Sequence, residues 1–174
     1  MKYLLRAAAL AVAMHVHATP LLSQGFTTLG FDVRLATPAG ELGDWHQLGL
    51  GAALHAEYDL SMNWRAVGQL GYTHFAGKAI RGIPDAAPDL RVLGASAGVR
   101  AFVSATPLHV GMEFGYYSYR SGREHFSNAG LTRDFGFLPS IGYRTGTFDV
   151  SAQYKLGGDA QWLEVRAGMQ VLRF

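Results

Sequence analysis

From Gln47 to Leu60 the chain reads QLGLGAALHAEYDL, and its side chains alternate without interruption. Leu48, Leu50, Ala52, Leu54, Ala56, Tyr58 and Leu60 fall on one side, and Gln47, Gly49, Gly51, Ala53, His55, Glu57 and Asp59 on the other. Successive side chains of an extended backbone face opposite ways, so this is a strand with one apolar face and one small or charged face. A helix would scatter both sets around its circumference. A tilted strand needs about 9–11 residues to cross a bilayer, whereas strands of ordinary globular proteins average about five or six. This stretch is long enough to cross.

Seven further segments alternate in the same way. Thr27 to Thr37 sets Leu29, Phe31, Val33 and Leu35 against Gly30, Asp32 and Arg34, and ends at Pro38; the following PAGELGDW reads as a polar loop. Trp64 to Phe75, Arg91 to Val103 and Leu108 to Tyr117 give strands three to five. Asp134 to Arg144 gives strand six, with Pro139 predicting a local bulge or weakened pairing. Phe148 to Leu156 and Leu163 to Val171 complete the set. The connections after strands two, four and six are tight, and those after one, three and five are long. That parity belongs to an up-and-down barrel with short turns at one rim and loops at the other.

The first twenty residues, MKYLLRAAALAVAMHVHATP, carry a basic head (Lys2, Arg6), an apolar run from Ala7 to Met14 and the small-residue site Val16-His17-Ala18. Residues 1–18 therefore read as a cleavable signal peptide, the apolar run being far too short for a spanning helix. Residues 19–174 are then the barrel domain. Of the 15 Lys and Arg, Lys2 and Arg6 lie in this leader, so thirteen remain to face 13 Asp and Glu. The mature chain is formally neutral, which removes the case for nucleic-acid binding. There are no cysteines, hence neither disulfides nor thiolate metal sites, and no pair of histidines with ligand spacing remains after the leader. The sequence gives no sign of a cofactor.

Ionisable residues occupy the face opposite the aliphatic one in every strand. Seven acids (Asp32, Glu57, Asp59, Glu113, Asp134, Asp149, Glu164) accompany six bases (Arg34, Arg65, Arg100, Arg144, Lys155, Arg166). On the apolar face Tyr58, Trp64, Tyr143 and Phe148 sit beside the tight turns, and Tyr72, Tyr116 and Phe135 near the long loops. Two aromatic belts with Leu, Val and Ala between them are the arrangement of a lipid-facing wall. On these patterns the mature chain resembles the small eight-stranded outer-membrane barrels of the OmpA and OmpX type. The resemblance implies an all-β, eight-stranded antiparallel transmembrane barrel, a monomer in the outer membrane in contact with lipid and lipopolysaccharide. The ending Leu172-Arg173-Phe174 is similar to the terminal aromatic signal read by the barrel-assembly machinery, although Leu172 and Phe174 are out of phase with Leu163 to Val171.

Eight strands enclose an interior that side chains just fill. Asp32, Arg34, Glu57, Arg65, Arg100, Glu113, Arg144, Lys155, Glu164 and Arg166 are thus expected to pair in a lumen closed by their charges, with a small gated channel as the alternative. The function this predicts is structural or surface interaction through the loops around residues 77–90 and 121–133, without enzymatic activity. In the second loop Arg120, Arg123 and Arg133 are candidates for lipopolysaccharide contact, because guanidinium forks fit phosphate oxygens. The same loop holds His125-Phe126-Ser127-Asn128, which resembles the His-x-Ser-Asn motif of the outer-membrane lipid A deacylases. That resemblance implies Ser127 as nucleophile, His125 as base, Asn128 as oxyanion donor, and Glu164 as the only downstream glutamate. The family motif lies late in its barrel, whereas three strands follow it here; an exposed polar turn is the competing reading.

Overall fold

A computed structural model describes residues 27–79, 87–121, 133–158 and 160–174. The eight strands are β1 (Thr27–Ala39), β2 (His46–Asp59), β3 (Trp64–Gly77), β4 (Leu90–Phe102), β5 (Leu108–Ser121), β6 (Arg133–Thr145), β7 (Phe148–Lys155) and β8 (Gln161–Arg173), with one short helix, α1 (Glu41–Trp45), between β1 and β2. Each strand pairs antiparallel with its sequence neighbour, and β1 pairs with β8, so the sheet closes on itself and leaves no edge. The proposed leader lies outside the described residues.

The polarity of the wall is inverted relative to a water-soluble protein. Leu54 is 67% exposed, Leu70 54% and Ile141 58%, whereas Glu57 is 2% exposed and Arg100 5%. Alternation carries this directly: through the middle of each strand apolar side chains project outward and charged ones inward. At the strand ends Arg91, Arg120 and Arg133 project outward, against the expectation that every ionisable strand residue faces inward, and Phe75, Val92 and Trp162 project inward. Of the outward aromatics, Trp64, Tyr143 and Phe148 lie near the tight turns and Tyr72, Tyr116 and Phe135 nearer the long connections, while Phe31 and Phe114 are exposed within the body of their strands.

Four local readings change or sharpen. Pro38 does not end β1, which runs on to Ala39. Past Ala36 the strand pairs with β8 alone, and a residue lacking an N–H is tolerated where one side of a strand is unpaired. The supposed polar loop after it contains α1. Gly40, at φ 57, starts the turn, the Gly43 N–H donates to the Gly40 carbonyl at 2.9 Å, and Leu42 is buried. Five residues are too few to show helical periodicity in sequence.

Pro139 introduces no bulge. The ladder between β6 and β7 runs from Thr145 only to Ser140 and then lapses; Phe137 and Leu156 rejoin it in the same register with two hydrogen bonds of 2.8 Å. The missing proline donor weakens pairing on one side only, because Met112 of β5 still pairs with Pro139. The phase conflict near the C-terminus is resolved by a bulge. Gly30 pairs with Gln170 while Leu29 pairs with Leu172, so Val171 is the extra residue and Leu172 and Phe174 return to the outer face.

Candidate functional site

Alternation aims every second residue of eight strands into one narrow interior, and near the tight turns these side chains converge on Glu57 of β2. Glu57 Oε1 accepts from Arg100 Nη1 and from Arg144 Nη2, each at 2.7 Å. Its Oε2 accepts from Arg144 Nη1 at 2.6 Å, Gln170 Nε2 at 3.3 Å and Arg65 Nη1 at 3.4 Å. Five strands thus meet at one carboxylate, and Arg144 grips it with both ends of its fork. Arg144 Nε also donates to Asp149 at 3.0 Å, where the His109 ring lies at 2.9 Å. Arg65 turns its Nε to Asp59 at 2.7 Å. The Phe102 ring lies beneath the guanidinium groups of Arg65 and Arg144.

Arg100 links this tier to a second one, its Nη2 lying 3.6 Å from Glu113 Oε1. Glu113 also accepts from Ser96 Oγ at 2.8 Å and from the Gln69 amide, and the Gln69 carbonyl accepts from Arg34 and, at 3.1 Å, from Arg166. Arg34 Nε holds Asp32 at 2.6 Å, and its Nη1 stands 3.5 Å from Glu164. A small cavity between Arg34, Gln69, Ser96, Tyr117, Trp162 and Glu164 has the size of about one water molecule, far short of a conduit.

The third tier, toward the long connections, is mostly apolar. Phe75, Leu90, Val92, Tyr117, Tyr119, Leu138 and Trp162 form a buried cluster that Leu42 of α1 joins. Trp162 packs against Phe75 and Tyr117 with ring centroids 5.7 and 5.4 Å apart. Lys155 is fully buried among the rings of Tyr117, Tyr119 and Trp162. Its ammonium donates to Asp134 at 2.9 Å and to the carbonyls of Gly157 and Ala160 at 3.0 and 2.7 Å. In the sequence Tyr117 and Leu138 share the face of the charged residues, but few charges mark this tier, so only alternation reveals it. Continuing the count places Leu90, Val92, Tyr119 and Trp162 inward too.

Glycine makes room for the rings. A Cβ on Gly94 would stand 2.6 Å from the Tyr117 ring, which lies directly opposite across β4 and β5. Gly94→Val is expected to lower stability by about 1–3 kcal/mol by displacing that ring, measurable by urea unfolding in lipid vesicles.

The structure therefore brings all ten lumen candidates inside the barrel. It also places Arg120 and Arg133 differently from the sequence reading, as exposed outer-wall residues of β5 and β6 and not as part of a loop. Arg123, His125, Ser127 and Asn128 lie outside the described residues. Glu164, the glutamate that the hydrolase resemblance would need, sits inside the barrel, where it accepts from Trp162 Nε1 at 3.3 Å and faces Arg34. Among the described residues no group of three His, Cys, Asp or Glu is arranged to hold a metal.

No family model matches the chain, and no curated protein is similar to it in sequence. Its fold is found among solved structures. The crystal structure of Ail, the attachment invasion locus protein of Yersinia pestis, superimposes with a TM-score of 0.54 at 13% identity, covering 86% of this chain and 99% of Ail. The backbone structure of Ail in a phospholipid bilayer nanodisc gives 0.55 at 13% identity, over 83% and 99% of the two chains. Neisserial surface protein A gives 0.50 at 21% identity, over 84% and 96%. The chain thus has the fold of the small eight-stranded outer-membrane β-barrels.

Proposed function

We propose that this chain is an outer-membrane protein, exported by residues 1–18, whose barrel is a closed monomeric scaffold and whose work is done at its outer surface. The observation that carries this reading is the filled interior. Glu57 and its three arginines close the end beside the tight turns, and the cluster around Trp162 closes the other. An apolar wall of this extent also argues for lipid around the barrel, since monomers in water rarely expose contiguous apolar patches beyond a few hundred Å².

In this reading the tight turns face the periplasm and the connections around residues 77–90 and 121–133 face outward, where they serve envelope integrity or surface attachment. Arg120 and Arg133 then lie at the level of lipopolysaccharide phosphates, with Arg123 of the same connection as a further candidate contact, and Phe174 on the outer face is presented to the assembly machinery. Purified protein in planar bilayers is expected to show little steady conductance. Large, stable conductance would overturn the closed scaffold, and recovery of the protein from the inner membrane or cytosol would overturn the location.

A further inference from the structure

Strand β7 is the shortest of the eight, with 8 residues where the others have 13 or 14. Its ladder to β6 lapses past Ser140, whereas the ladder on the other flank of β6 runs unbroken from Tyr143 to Arg133. Pairs that exchange two hydrogen bonds recur at every second position of an antiparallel ladder. Phe137 and Leu156 are such a pair, so the next falls on Pro139 and Tyr154, where proline has no N–H to offer the Tyr154 carbonyl. Side chains beside the lapse do not make up the loss. Ser140 and Gln153 pair at its edge, yet the Ser140 hydroxyl and both polar atoms of Gln153 are buried without a hydrogen-bond partner.

The outer part of the seam is held from inside by one side chain. In the register shared by Ser140–Gln153 and Phe137–Leu156, Lys155 of β7 falls opposite Leu138 of β6. Its aliphatic stem crosses to β6 over Gly136, where a Cβ would stand 2.9 Å from the Lys155 Cε and 3.0 Å from its Cγ. The ammonium then meets Asp134 of β6 at 2.9 Å, and Tyr119 of β5 donates to the other oxygen of that carboxylate at 2.7 Å. A buried ion pair therefore spans the two strands just where their backbone ladder is interrupted. Behind it lie Tyr117, Leu138 and Trp162 of the apolar tier, and in front of it the wall turns Phe137, Pro139 and Tyr154 outward.

We infer that the β6–β7 seam is a lateral gate between the apolar tier and the surrounding bilayer, with Lys155 and Asp134 as its latch. When the ion pair parts, the Phe137–Leu156 bridge is what remains between the outer ends of the two strands. An apolar molecule dissolved in the membrane then meets the hydrocarbon side chains of the tier without crossing a polar layer. Openings of this kind draw on the few interactions that close them and not on the stability of the whole barrel. Along its axis the barrel stays sealed, because the Glu57 cluster takes no part in the movement. This inference rests on the outer-membrane reading above and adds a route through the wall.

The chain has no cysteine, so a single introduced thiol reports alone. Leu138→Cys places it behind the seam, and Val92→Cys places it in the same tier behind β4, whose ladders to β3 and β5 continue past Val92 on both sides. The two native side chains are 3% and 2% exposed. Both variants are folded into phosphatidylcholine nanodiscs, checked by the heat-dependent gel shift of intact barrels, and treated with a long-chain N-alkylmaleimide dissolved in the bilayer or with a charged, water-soluble maleimide. Mass spectrometry follows the labelling. Leu138→Cys should take up the bilayer-dissolved reagent about tenfold faster than Val92→Cys. Adding Asp134→Asn should speed it about threefold more, and adding Pro139→Ala, which restores the missing donor, should slow it by a similar factor. Equal rates for the two folded cysteine variants overturn the gate. An advantage of Leu138→Cys confined to the water-soluble reagent places the opening at the mouth and overturns the seam. A rate unchanged by Asp134→Asn overturns the latch; should that variant not fold, Pro139→Ala decides, and a rate it leaves unchanged overturns the inference. Wild type found outside the outer-membrane fraction of cells would defeat the underlying reading, whereas correct location with equal rates would defeat this inference alone.

Discussion

Glu57→Ala is expected to destabilise the barrel by about 3–5 kcal/mol, because it leaves the guanidinium groups of Arg100 and Arg144 buried without their shared carboxylate. The side chains of the two arginines are only 6% and 7% exposed, so water cannot replace what is lost. Arg65→Gln makes the contrast. Its side chain is 26% exposed and also engages Asp59, so its removal should cost only about 1 kcal/mol or less. Reversible urea unfolding of both variants in lipid vesicles, followed by tryptophan fluorescence, measures the difference. If Glu57→Ala unfolds like wild type, the network is incidental to stability.

The second large effect belongs to the outer wall. Leu54 is 67% exposed on the mid-section of β2, opposite Phe31 on one side and Leu70 on the other. If that surface meets hydrocarbon, Leu54→Arg should cost about 2–4 kcal/mol. The same charge at Met62, 99% exposed in the turn between β2 and β3, should change stability by less than about 0.5 kcal/mol. Parallel unfolding titrations compare the two variants. Equal costs would mean that the apolar wall does not face lipid.

The architecture was readable from sequence because one physical rule governs every strand. A period of two puts Leu54 outside and Glu57 inside, and errors at strand ends leave that assignment unchanged. Inward direction was equally readable for the charged residues, although which base meets which acid was not. Glu57 gathers Arg65, Arg100, Arg144 and Gln170 from four other strands, and those meetings depend on register and stagger, which no single strand encodes. The apolar tier was legible in part. Val92, Tyr117 and Trp162 obey the same alternation, whereas Leu42 arrives on a helix of a single turn that leaves no periodic trace. The bulge at Val171 could be posed as a question by the phase of Leu172 and Phe174, but only the pairing with Leu29 and Gly30 answers it.

The unequal sealing of the interior gives the molecule a direction. At the end beside the tight turns the side chains of Arg65 and Asp59 remain 26% and 22% exposed, so solvent reaches the outermost ion pairs. At the other end Trp162 is 3% exposed, Tyr117 7% and Leu42 3%, and hydrocarbon packing shuts the interior off. Solvent thus reaches the Arg65–Asp59 pair at the rim but stops short of Glu57, whose side chain is 1% exposed. In the proposed orientation, a change of salt concentration on the tight-turn side reaches the Arg65–Asp59 pair, while the apolar stopper keeps the solution beyond the other rim away from the interior charges.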